Sequence, residues 1–112
     1  MKRKIYIAGK VTGENQDDCK AKFAQAQMNL EGRGFEPINP LEVVGDWQKP
    51  WNVAMKLCIS KLLEADAIVL LPCWWLSKGA TLEMKLAMEL KMPIFQFDTH
   101  GLDQLSCNLW NN

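Results

Sequence analysis

Histidine occurs once, at position 100, and none of the four cysteines (Cys19, Cys58, Cys73, Cys107) stands at CxxC spacing from another. A lone imidazole and scattered thiols do not make a metal-ligand set, so no metal and no cofactor are expected. An excess of charge of either sign is also missing: 13 basic residues balance 13 acidic ones. That balance offers no electrostatic footprint for a nucleic-acid polymer or a membrane surface. No apolar run approaches the roughly 20 residues that span a bilayer. The opening MKRKIYIAG lacks the long hydrophobic segment of a signal peptide. Internal repeats and low-complexity linkers are absent too. These absences lead to the expectation of a reduced, cytoplasmic protein whose 112 residues form a single domain over 1–112 around one core.

What is present is an alternation of strand and helix signals. Lys4 to Ala8 (KIYIA) is rich in β-branched and aromatic residues and reads as a first strand. A glycine-bearing loop, Gly9 to Gly13, follows; it matches neither a GxGxxG nor a Walker A pattern and is equally a tight strand-to-helix turn. Asn15 caps the next helix, Asp17 and Asp18 suit its first turn, and Cys19, Phe23, Ala26 and Leu30 form its apolar stripe. Gly32 and Gly34 end it, and Phe35 to Asn39 makes a short strand. Pro40 to Pro50 reads as a long connection carrying Trp47, with Trp51 just beyond. The pair can stack on a planar ring or plug the loop down. A helix over about Trp51 to Glu64 is expected to use Val53, Leu57, Leu62 and Leu63 as apolar positions. Ala67 to Leu71 is an unbroken apolar run that suits a strand buried on both faces. Ser77 and Gly79 open a helix that stops before Pro93, Pro93 to Phe97 is a fourth strand, and the tail is expected to form one helical turn around Leu102 to Leu105. This order implies right-handed crossovers and an open parallel sheet covered on both faces.

One residue of the last helix is out of character. At about 100° per residue, Glu83 falls between Leu90 and Ala87, close to Leu86 and Ala80, while Lys85 and Glu89 point to water. A capping box would need Ser or Thr three residues earlier, where Ala80 stands. An i,i+4 ion pair would need a cation at Gly79 or Ala87. A lysine from another element remains open as its partner. Ligands of open α/β sheets bind beyond the carboxyl ends of the strands. Here that edge comprises Gly9 to Gly13, Asn39 and Pro40, Cys73 to Ser77, and Asp98. If the first and third strands are adjacent, Tyr6 neighbours Glu83 and orients it by a hydrogen bond; a core tyrosine with a satisfied hydroxyl is the alternative.

KIYIAG, DAIVLLP and Ser77-x-Gly79-x-x-x-Glu83, in this order, resemble the nucleoside 2-deoxyribosyltransferase-like superfamily, and most closely its DUF4406 branch, over most of residues 3–98. The resemblance implies a three-layer Rossmann-like (flavodoxin-like) sandwich with a mostly parallel four- to five-stranded sheet, and a homodimer. It implies cleavage or transfer of the N-glycosidic bond of a nucleotide or nucleoside, with Glu83 as nucleophile and Tyr6 as its orienting partner. Ser77 and Gly79 would meet a phosphate, with Gly9, Trp47 and position 58 also at the substrate. Two departures stand out: Cys58 occupies a position where relatives usually carry an aspartate, and Cys73 replaces a glycine common in this branch. A thiol of ordinary pKa makes none of a carboxylate's hydrogen bonds. The alternatives are a non-catalytic nucleotide-binding or regulatory module, and a small assembly protein whose tryptophans serve an interface.

Overall fold

In the computed structural model, residues 2–97 are described in full and residues 105–108 by their backbone. The expected residue patterns become five strands: β1 (Lys4–Ala8), β2 (Glu36–Ile38), β3 (Ala67–Leu70), β4 (Ile94–Phe97) and β5 (Leu105–Asn108). They lie in the order β2-β1-β3-β4-β5. The first four are mutually parallel and β5 runs antiparallel to β4. Leu105 thus opens a strand rather than closing a helical turn; Leu102 to Gln104, together with Asp98 and His100, lie outside the described residues.

Period-two alternation sends the strand side chains into two cores. Ile5 and Ile7 of β1 join Ala67, Val69 and Leu71 beneath helix α1 (Gln16–Gly32), which contributes the stripe Cys19, Phe23, Ala26 and Leu30. Tyr6 and Ala8 join Ile68 and Leu70 on the opposite face, beneath α3 (Trp51–Leu62) and α4 (Lys78–Glu89). With helices on both faces and every β3 residue buried, the three-layer Rossmann-like expectation holds. Burying side chains of this size stabilises by roughly 1.5–3 kcal/mol each. The whole burial pattern of β1 and β3 therefore fixes which face Tyr6 points to.

Two local expectations need correction. Residues Pro40–Val44 are not bare connection but a short helix, α2. Asn39 caps it by accepting from the Leu41 N–H at 3.0 Å, Pro40 occupies the first turn, and Gly45 closes it at φ 73°. Asn39, expected at the ligand edge, is spent on this cap and on a bond from its Nδ2 to Gln27. Helix α3 buries Met55, Cys58 and Leu62, at i, i+3 and i+7, whereas Val53, Leu57 and Leu63 are exposed. Two apolar stripes compete on this helix, and the one facing α4 and the sheet is the one that carries sulfur.

Cys73 takes a left-handed backbone (φ 66°, ψ 21°) at the start of the 3-10 turn Trp74–Leu76. That region penalises a Cβ by about 1–2 kcal/mol, of which glycine's greater unfolded-state freedom returns about 0.5–1 kcal/mol. Cys73→Gly is expected to raise stability by about 0.5–1 kcal/mol, read as a higher urea midpoint at unchanged slope; a lower midpoint would show that the exposed thiol contributes something else.

Candidate active site

The strand order reverses between β1 and β3, since β1 leads outward to β2 and β3 leads the other way to β4. A cavity of about 420 Å³ opens at this switch point, on the carboxyl edge of the sheet. That volume is within the usual range of small-molecule sites. All seven residues singled out in the sequence line it: Tyr6, Gly9, Trp47, Cys58, Ser77, Gly79 and Glu83. Cys73 does not.

Glu83 is brought to the cavity by α4, whose buried side is Gly79, Ala80, Glu83, Met84 and Ala87. The carboxyl group is buried, with the residue only 4% exposed. The Tyr6 hydroxyl, arriving from β1 beneath it, donates to Glu83 Oε2 at 2.5 Å. A bond this short is of the charge-assisted class. Among the described residues no lysine or arginine pairs with Glu83; the ion pairs are Lys22–Glu14 and Lys61–Glu64. The partner left open by the sequence is therefore a tyrosine, not a cation.

Burial pushes the Glu83 carboxyl up to about 7, against the Tyr6 bond, which lowers it. The helix dipole does not rescue the ionised form, because Glu83 is the sixth residue of α4 and the dipole's influence fades beyond the first turn. Burial, then the neighbouring Glu83 charge, hold the Tyr6 hydroxyl well above its ordinary value. Burial likewise raises the Cys58 thiol above its ordinary value. Of these three groups, Glu83 is the one whose charge changes near neutrality.

The remaining residues have structural work as well. Ser77 Oγ caps α4 by accepting from the Ala80 N–H at 3.1 Å, and its own residue stays half-buried at the cavity rim. Gly79 lets α4 approach α3: a Cβ there would sit 2.9 Å from Met55 Sδ and 3.7 Å from Trp51 Nε1. A Cβ on Gly9 would meet Leu71 Cδ1 at 2.8 Å, so this position is closed by the end of β3. Trp47 packs partly on the α1-side core, consistent with the plug as well as with a ring-stacking wall. Trp51 is covered on one face by the Lys78 ammonium, 4.4 Å from the ring centroid.

Lining residues absent from the sequence expectations include Asp46 and Lys49 of the α2–α3 connection, Leu41 and Val44 of α2, and Glu14 and Gln16 beyond the first loop. Lys49 Nζ donates to the Val44 carbonyl at 3.1 Å and is the one cation among the described lining residues. Nothing periodic marks such loop residues. Met55 also lines the cavity, and its i, i+3, i+7 relation to Cys58 and Leu62 was the available signal.

Among solved structures, a CMP N-glycosidase of Clostridium botulinum, BcmB, superposes with a TM-score of 0.60 at 17% identity, covering 85% of this chain and 68% of that one. A 2-deoxyribosyltransferase from Bacillus psychrosaccharolyticus superposes with a TM-score of 0.64 at 19% identity, covering 84% and 71% respectively. No curated protein matches the chain. These likenesses show that the chain shares the fold of both structures. Residues 3–96 match the family described as Domain of unknown function (DUF4406), and the chain belongs to that family.

Proposed function

We propose that the protein cleaves, or transfers across, the N-glycosidic bond of a nucleotide or nucleoside, with Glu83 as the nucleophile. The observation that carries this proposal is a buried, uncompensated carboxylate, oriented by Tyr6, lining a cavity of ligand size. Burying an ionisable group in this way costs stability, and groups so perturbed, in a cleft, cluster at functional sites. The names of the two superposed structures, a CMP N-glycosidase and a 2-deoxyribosyltransferase, support the same class of substrate.

In the first step a Glu83 oxygen attacks C1′ of the sugar. Oε2 is committed to Tyr6, which leaves Oε1 for the attack. The C1′–N bond breaks, its electron pair departs with the base, and the base takes up a proton. A glycosyl ester of Glu83 results. In the second step water, or a second base, attacks C1′, the ester C–O bond breaks, and the Glu83 carboxylate returns; with water, one proton is released. The balance closes without a metal or a redox cofactor. Trp47 walls the base, Gly9 leaves the backbone close to the ligand, and Ser77 and Gly79 at the start of α4 receive the phosphate of a nucleotide. A homodimer in a cytoplasmic setting completes the proposal, with the exposed Trp75, Leu76 and Leu82 near the site as surface to be covered.

Incubating the protein with a panel of nucleoside monophosphates and nucleosides, and separating free base by chromatography, tests this. Release of base from at least one member is expected. A rise in melting temperature with nucleotide but no release would favour the binding module, and neither effect would leave the assembly alternative.

A further inference from the structure

Glu14, Asp46 and Glu83 bring carboxyl groups to the cavity wall, and among the described residues Lys49 alone brings a cation. Two of the acids are already engaged. Glu14 pairs at 3.1 Å with Lys22, which reaches it from α1 without lining the cavity. Asp46 Oδ1 accepts from the Gln48 N–H at 2.8 Å. Lys49 has no carboxylate within ion-pair distance among the described residues. Its ammonium donates instead to the carbonyl of Val44, the last residue of α2, at 3.1 Å. A carbonyl occupies one ammonium donor and neutralises none of the charge, so the other donors are left for a ligand. The backbone beneath the side chain is held on both sides. The Lys49 N–H donates to the Asp46 carbonyl at 3.3 Å, and Pro50 disfavours helical backbone for the residue before it. Lys49 is half-buried, so salt screens its charge less than that of an exposed lysine.

We propose that Lys49 is a specificity-determining residue that binds the phosphate of a nucleoside monophosphate, so that the cavity selects a nucleotide over the matching nucleoside. Trp51, two residues beyond Lys49, packs at the start of α4: its Nε1 stands 3.7 Å from the place a Cβ on Gly79 would take. Ser77 offers that end of the cavity a hydroxyl but no charge. Lys78 is turned onto the Trp51 ring and does not line the cavity. A phosphate entering beside the carboxyl groups of Glu14, Asp46 and Glu83 needs a cation to offset them, and Lys49 is the one in place. Lysine meets phosphate as a compact point charge on a flexible stem. The inference rests on the function proposed above for the class of ligand, but it concerns binding and not cleavage.

Isothermal titration calorimetry tests it, with the common ribo- and deoxyribonucleoside 5′-monophosphates and the matching nucleosides as probes. The protein carries Glu83→Gln throughout, so that no ligand is consumed. At least one monophosphate is expected to bind about 10- to 100-fold more tightly than its nucleoside, the range of a charge-assisted hydrogen bond. Lys49→Met, which keeps an apolar stem and removes the charge, is expected to erase that margin and leave nucleoside affinity unchanged. Lys49→Arg is expected to retain most of it. No margin before substitution, a margin that survives Lys49→Met, equal losses for both ligands, or no binding of any monophosphate would each overturn the proposal. Should the methionine variant not fold, Lys49→Gln is read by the same margin. Base release by the parent protein with binding indifferent to Lys49 would remove this inference and leave the proposed function standing; Lys49-dependent binding without base release would do the reverse.

Discussion

Glu83→Gln is expected to abolish base release, by about 10⁴-fold or more, and at the same time to make the protein more stable at alkaline pH. The first effect follows from the loss of the attacking oxygen, since an amide does not form the glycosyl ester and deletions of a nucleophile are costly in this range. The second follows from linkage. Folding raises the Glu83 carboxyl from 4.5 to about 7. Below pH 4.5 both folded and unfolded chains carry the proton, and the group has no effect on stability. Between 4.5 and 7 the unfolded chain ionises freely while the folded chain retains its proton, so stability falls as pH rises; above 7 the loss is complete. The full loss is about 3 kcal/mol. Glutamine keeps the shape and still accepts from Tyr6 but does not titrate, so the slope between pH 4.5 and 7 should flatten. At pH 8 the melting temperature should rise by roughly 10 °C, the scale of a couple of kcal/mol in a domain of this size. Thermal melts across pH, run beside chromatographic assays, read both. Retained base release would remove Glu83 as nucleophile; lost release without the stability gain would mean that its burial is compensated by something other than Tyr6.

The same burial of an acid explains why Glu83 was visible in the sequence. An acid on the apolar stripe of an amphipathic helix breaks the local pattern, and patterns are broken where function demands it. Tyr6 was visible for a related reason. Period-two alternation in β1 and β3 places Tyr6 opposite Ile68 on one face, and parallel pairing of those strands brings that face under α4. The elements that carried these residues were legible because each obeys a single strong rule. β1 occupies its expected bounds, α1 buries the four residues of its expected stripe, and α4 starts at its expected Ser77 cap.

Where several rules compete, the sequence was less informative. Helix α3 carries Val53 and Leu57 on one side and Met55, Cys58 and Leu62 on another, and periodicity does not rank two apolar stripes. The choice is made by tertiary contact with α2, α4 and the sheet. Helix α2 is only five residues long. That is below the length at which periodicity speaks, although its Asn39 cap and Pro40 were available signals. Lys49 and Asp46 reach the cavity from a connection whose path depends on how α2 and α3 pack. The seven expected site residues share one cavity, but Ser77, Gly79 and Gly9 also have packing or capping duties that would select the same residue types without any ligand.

Tyr6→Phe separates orientation from attack, because it keeps the ring in the core and removes only the hydroxyl that donates to Glu83. A hydrogen bond to a charged group contributes about 1.5–3 kcal/mol, which corresponds to roughly one to two pH units in the ionisation of its partner. The Tyr6 bond lowers the Glu83 carboxyl against the effect of burial. Without it the folded carboxyl rises further above 7, and the ionised fraction at pH 7 falls from about a half by about 5- to 50-fold. Base release should fall by that factor at pH 7 and recover as the pH is raised, with the ascending limb of the rate profile displaced upward by the same one to two units. The pH-stability profile should follow: the decline that ends near 7 in the parent should extend to higher pH in the variant, since the folded group now holds its proton longer. A limb that stays at its original pH while the rate drops uniformly would mean that Tyr6 acts on the substrate and not on Glu83. A rate unaffected at every pH would show that the carboxylate is held by the cavity itself.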